Sequence, residues 1–167
     1  MDKKQKLIIK IGIIILCLLI IAAVILFINR NNITRKQSFI KPDFETNSTE
    51  GFPEKIDSSL KYEEVKIDDN YIVYLCAMPK IDENILTLYF TSVESNKGLL
   101  KVRILDKDSN ILGESGLINP NNYIKDITLN RTLDDNEQIT VYVMNYEKDT
   151  YFSLGGIRLN LIIQKSK

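Results

Sequence analysis

The alternation of apolar and polar positions divides the chain into three unlike stretches. From Ile11 to Ile28 there is no charge, and fourteen of the positions are Leu, Ile, Val or Phe. At about 1.5 Å per residue, this run together with Leu7 to Ile9 reaches past the ~30 Å hydrocarbon core of a bilayer. Each of its large apolar side chains favours insertion by about 0.3–0.6 kcal/mol. Lys10 can carry its ammonium to the headgroups on its long stem. The pattern predicts a single transmembrane helix over 7–28, preceded by a short tail over 1–6. A cleaved secretory signal would need an apolar core of about 7–15 residues and a small-x-small site after it. The run is longer, and Asn29-Arg30-Asn31-Asn32 follows. Lys3, Lys4, Lys6 and Lys10 outweigh Arg30, Arg35 and Lys36 on the other side, which puts the N-terminus in the cytoplasm and the rest of the chain outside.

Residues 29–59 carry Asn, Ser, Pro and Gly with no sustained apolar period, the composition of a flexible stalk. As a coil it would reach about 30 Å. Phe39, Phe44 and Phe52 punctuate it, and one or two of them are expected to dock on the domain that follows.

From residue 60 to 167 the period becomes two. Short β-rich runs are predicted at Tyr62–Ile67, Tyr71–Ala77, Ile85–Thr91, Leu100–Leu105, Ile111–Leu117, Tyr123–Leu129, Gln138–Tyr146 and Gly156–Gln164, separated by turn residues such as Asp106 to Asn110 and Asn119 to Asn122. Alternation buries one face of each run and wets the other. Runs of this kind without an intervening helical pattern predict an all-β domain, an antiparallel β-sandwich that is Ig-like or jelly-roll-like. Its first and last strands are expected to be neighbours.

Charge changes the picture of what the domain meets. The 22 basic and 22 acidic residues cancel, but beyond position 36 there are 15 of the former and 21 of the latter. An outer part of that sign is repelled by nucleic acid and by anionic headgroups, so nucleic acid is not an expected partner. Roughly 105–110 residues suffice for one core and not for two domains.

Three segments resemble a known group. Leu112-Gly-Glu-Ser-Gly-Leu-Ile-Asn-Pro120, Ile127-Thr-Leu-Asn-Arg-Thr-Leu133 and Leu154-Gly-Gly-Ile-Arg-Leu-Asn-Leu161 are similar to small, mostly uncharacterised membrane-anchored or secreted β-sandwich proteins of low-GC Gram-positive bacteria. Asn121 stands where that group usually has glycine, and the tryptophan before its proline turn is missing. The resemblance implies a fold and a cell-surface location, and no activity.

Candidate chemistry is sparse. With no His in the chain, Ser or Cys nucleophiles lack their usual base and zinc lacks its commonest ligand. Cys17 falls in the predicted span and Cys76 in a predicted strand, where it reads as a small buried hydrophobe. Asp106-Lys107-Asp108-Ser109-Asn110 begins like a calcium loop, but Ile111 stands where that loop needs glycine and Leu117 where it needs a bidentate glutamate. Paired Asp68-Asp69 and Asp134-Asp135 fall in predicted turns. No catalytic residue, cofactor or metal site is expected. Tyr142, Tyr146, Tyr151 and Phe152 bracket the last predicted turn, and aromatic side chains at one end of a sandwich make the best candidate patch for a peptide or glycan. The expectation is a non-enzymatic, single-pass envelope protein whose outer domain binds another envelope protein or a surface polymer. The alternative is a structural or accessory subunit of an envelope machine, such as a conjugation or secretion apparatus.

Overall fold

The strands among the described residues are β1 (Thr49–Glu50), β2 (Tyr62–Asp68), β3 (Tyr71–Cys76), β4 (Lys80–Asp82), β5 (Ile85–Ser92), β6 (Leu99–Leu105), β7 (Ile111–Glu114), β8 (Asn122–Thr128), β9 (Gln138–Tyr146), β10 (Ser153–Ile162) and β11 (Gln164–Lys165). The structure is a computed structural model that describes Leu16, residues 19–22, Val24, residues 39–68 and residues 71–165. The chain divides into two units, residues 1–40 and residues 41–167.

In the first unit, Leu16, residues 19–22 and Val24 are helical, and their large apolar side chains are exposed. Among the described residues no helix is long and apolar enough to cross a membrane. The span expected over 7–28 lies, apart from those six residues, outside the described residues, as do the tail over 1–6 and Asp69 of the predicted Asp68-Asp69 turn.

In the second unit, alternation builds two sheets. Leu86, Leu88 and Phe90 of β5 are fully buried, as are Val102 and Ile104 of β6 and Val141 and Val143 of β9. Lys101, Arg103, Thr140 and Tyr142 between them are partly open. Sheet I runs β1-β8-β5-β3-β2, with β4 along the other end of β5 and β11 beyond β4; sheet II runs β10-β9-β6-β7. Among the strands of the described residues all pairings are antiparallel except β11 with β4; outside them Phe44 and Leu117 form an isolated parallel bridge. Aliphatic side chains from both sheets share one core, the arrangement of a β-sandwich. Each large side chain fully withdrawn from water there contributes about 1.5–3 kcal/mol.

Three features differ from expectation. The first and last long strands, β2 and β10, are not neighbours but edges of different sheets. Between them the chain changes sheet after β5, after β7 and after β8, and an odd number of crossings leaves the two ends in opposite layers. The strand expected over Ile111–Leu117 stops at Glu114, because the Ser115 hydroxyl accepts from the Val102 N–H at 3.0 Å and takes the place of a ladder carbonyl. Finally, of the stretch expected as stalk over 29–59, residues 29–38 lie outside the described residues and residues 41–59 belong to the second unit. Glu45 N–H donates to Leu117 O at 2.9 Å and Leu117 N–H to Asp43 O at 2.8 Å, while β1 pairs with β8. Local composition gave no apolar period here because the segment is held chiefly by its backbone, and backbone donors and acceptors leave no mark in the side-chain pattern.

A short 3₁₀ turn, Ser58–Leu60, ends this segment; Asp57 caps it by accepting from Ser59 N–H at 2.9 Å. Lys80 Nζ donates to the same carboxylate at 2.8 Å. The Lys80 hydrogen bond, with those from Ser59, lowers the Asp57 pKa from 3.8 to about 2. A depressed acid stabilises the fold fully above its ordinary pKa of 3.8, and the contribution disappears as pH falls through about 2. In a carboxyl-carbon NMR titration, Lys80→Met is expected to move the Asp57 midpoint back toward 3.8. An unmoved midpoint would assign the shift to the Ser59 contacts alone.

Candidate functional site

The outer face of sheet I carries a row of side chains set by strand register. Glu64 pairs with Tyr74, Tyr74 with Thr91, Thr91 with Tyr123 and Tyr123 with Thr49, so one row crosses five strands, and paired residues in antiparallel strands share a face. Val73, Phe90 and Ile124 point into the core, which sends their neighbours Tyr74, Thr91 and Tyr123 outward. Tyr62 joins the row: its ring centroid is 5.5 Å from that of Tyr74, and Phe52 meets Tyr74 edge-on at 5.3 Å. Tyr62 and Thr91 share a hydroxyl–hydroxyl hydrogen bond, and Tyr74 donates to Glu64. Burial pushes the Tyr62 phenol up to about 12.

Beside this row β5 carries a bulge. Thr87 pairs with Asp126 and Phe90 with Ile124, so Leu88 and Tyr89 together oppose Lys125. An extra residue of this kind re-aims a side chain. Leu88 stays in the core, and Tyr89 adopts φ +49°, the left-handed region that a bulky residue enters only against steric resistance. Its ring lies 6.0 Å below Lys125 Nζ. Strained backbone of this kind clusters at ligand sites, where the surrounding fold over-determines it.

Tyr89, Tyr123 and Lys125 form one side of a groove of about 340 Å³ whose other side is residues 49–55, with Phe52, Pro53, Glu50, Glu54 and Lys55 among them. That second side is fixed by β1 and by the Gly51 N–H, which donates to Asn121 O at 2.7 Å. The groove therefore depends on the segment whose composition reads as stalk. Its one sequence trace is the spacing of Ile124 and Ile127, both buried and three apart in a strand where a period of two would place them two apart.

None of the four aromatic residues singled out from the sequence lines this groove; Tyr142 and Tyr146 share the outward face of β9. Tyr142 lies on the outer face of sheet II between its register partners Arg103 and Arg158, with the Arg158 guanidinium 5.1 Å from its ring. Tyr146 is half-buried, its hydroxyl 3.8 Å from Met144 Sδ, and burial raises its pKa. Tyr151 carries Lys41 Nζ at 3.9 Å from its ring centroid and meets Phe44 edge-on at 6.2 Å. Phe152 is exposed, and its carbonyl accepts from Glu147 N–H. Of the three phenylalanines before the domain, Phe44 and Phe52 pack on its aromatic residues.

Other candidates resolve into structure. The Asp106 carboxylate accepts from the N–H groups of Asp108 and Asn110 at 2.9 and 2.8 Å and from the Asn110 amide at 2.9 Å; the Asn110 contacts hold its pKa down. These bonds close the hairpin turn. Among the described residues no group of three His, Cys, Asp or Glu is placed to share a metal ion. Cys76, opposite Tyr62 in the ladder, is fully buried, and burial pushes its thiol up to about 12. In a Cys17→Ser background, the native protein at about pH 8 is expected to resist a thiol reagent and to react only when unfolded. Labelling of the native protein at the rate of an exposed thiol would show that the cover over Cys76 opens.

Comparison with protein-family models, with curated proteins and with solved structures finds no match.

Proposed function

We propose that the chain is a non-enzymatic, single-pass envelope protein whose β-sandwich, Ig-like or jelly-roll-like, lies outside the membrane and binds another envelope protein or a surface polymer through the groove of sheet I. The observation that carries this reading is Tyr89: a bulky side chain held at φ +49° in mid-strand, lining a groove. Fold stability alone gives no reason to keep an aromatic ring there, since glycine meets the backbone requirement without strain. The membrane location is supported by the uncharged run from Ile11 to Ile28 and by the exposed apolar side chains of its described helical residues.

Tyr89→Gly separates binding from folding, because it removes the ring while suiting the backbone. Crosslinking in intact cells with tagged full-length protein is expected to recover partners or polymer that Tyr89→Gly loses, at unchanged protein level and unchanged thermal stability. Retention of the same partners by Tyr89→Gly would remove the groove from the interaction. Retention after removal of residues 55–167 as well would point to a machine subunit recruited by its span.

A further inference from the structure

We infer that the open edge of β10 takes an extended peptide strand with an acidic side chain opposite Arg158, which makes the rim of sheet II a docking surface for a protein partner. It does not depend on the groove, which belongs to sheet I.

The state of the edge comes first. β10 pairs with β9 alone, over Ser153–Ile162. Apart from that ladder, no backbone hydrogen bond of these ten residues reaches another described segment. Half of its N–H and C=O groups are therefore open to water, and none of its residues is buried. Folds blunt such an edge with shortness, a bulge, proline or an inward-pointing charge. The other edges among the described residues use these devices. β1 and β7 are two and four residues long, and the part of β8 that β1 leaves bare is shorter than β10. β2 has a register shift after Lys66, and its exposed Glu63 pairs with the core residue Leu75 and so points inward. The irregularity of β10 lies at its start, between Ser153 and Gly155. From Gly156 to Ile162 it has no proline and no inward-pointing charge.

The two faces of β10 specify the incoming strand. On the inner face Ile157, Leu159 and Leu161 pack on the core yet stay partly open. An added strand with apolar side chains at alternate positions would complete their cover, while its main chain takes up the free hydrogen-bonding groups.

On the outer face charge selects the partner. The four strands of sheet II carry three cations, Lys101, Arg103 and Arg158, and one carboxylate, Glu114. Glu114, Arg103, Tyr142 and Arg158 form one row across them. Lys101 and Arg103 share Glu114 at 2.8 Å each. Arg158, against the Tyr142 ring, takes part in no ion pair among the described residues. This cationic row ends at the open edge of an otherwise acidic outer part. A carboxylate directly opposite Arg158 is therefore favoured. A second copy of β10 would bring none, because the strand holds no acidic residue.

The test uses full-length protein at one copy per lipid nanodisc and short soluble peptides that alternate valine and threonine around a central glutamate, glutamine or lysine. The glutamate peptide is expected to slow hydrogen exchange in residues 153–162. The glutamine peptide is expected to bind about three- to fivefold more weakly, the worth of an opposite-charge cross-strand pair, and the lysine peptide more weakly still. Arg158→Gln should abolish this preference at unchanged thermal stability. A glutamate peptide N-methylated throughout keeps its charge but has no main-chain donors, and it should leave the exchange unchanged. Equal binding by the methylated peptide overturns strand addition in favour of a charge contact. Equal binding by all three side chains, or a preference that survives Arg158→Gln, overturns the acidic specification. No slowing in 153–162 with any peptide overturns the site. Slowing without peptide when two copies share a disc makes a second copy the occupant and overturns the peptide partner.

Discussion

Gly156→Val is expected to destabilise the domain by about 3–5 kcal/mol, at the upper end of single substitutions. β10 and β9 pair from Ser153 with Tyr146 to Ile162 with Gln138, and Gly156 lies opposite Met144. A Cβ at Gly156 would sit 2.0 Å from the Val143 carbonyl oxygen and 2.9 Å from Met144 Cα. Both are backbone atoms, so no side-chain rotation relieves the clash. The strands must part, and Ile157, Leu159 and Leu161, which pack on the core from β10, must shift with them. For a domain of this size the cost corresponds to a fall in melting temperature on the order of 10–15 °C, read by circular dichroism or tyrosine fluorescence, the chain having no Trp. A loss under about 1 kcal/mol would mean that β10 is not docked at Gly156 as described.

Phe90→Ala is expected to cost about 3–5 kcal/mol by a different route. Phe90 is among the largest fully buried side chains and sits where both sheets contribute to the core. Removing its ring leaves a cavity that close-packed neighbours fill only in part. The residue before it supplies the contrast. Tyr89→Gly loses a ring on the opposite face of the same strand and relieves a left-handed conformation worth about 1–2 kcal/mol, against about 0.5–1 kcal/mol for a glycine in a strand. Its stability is therefore expected to stay near wild type while binding falls. Neighbouring substitutions with opposite readouts, equilibrium unfolding for Phe90→Ala and crosslinked partner recovery for Tyr89→Gly, test whether the bulge serves the groove. A Tyr89→Gly protein as unstable as Phe90→Ala would make the ring a structural element.

The separation of core from site explains what could be read in advance. Period two is a property of the strand itself, since successive side chains point to opposite faces. Strands that keep the period were therefore legible from residues such as Leu100, Val102 and Ile104 against Lys101 and Arg103. The aromatic residues before and after the last hairpin looked like a site because they are close along the chain. Folding keeps Tyr142 and Tyr146 on one face of β9, near Arg103, and sets Tyr151 against Lys41 and Phe44. The groove joins Phe52, Tyr89 and Tyr123, residues too far apart in sequence to suggest one another.

The sequence by itself determined the uncharged run that reads as an anchor, the all-β character of the domain, its main strands and their inward faces. Each rests on local periodicity or on a run of like residues. Tertiary structure alone decided which strands are neighbours, that residues 41–59 belong with the domain, and where a concave surface forms. These depend on how many times the chain crosses between sheets, on backbone hydrogen bonds between distant segments, and on one extra residue in β5 opposite Lys125. Such pairings are long-range and involve main-chain groups that every residue carries, so the side-chain pattern holds almost no trace of them beyond the three-residue step from Ile124 to Ile127.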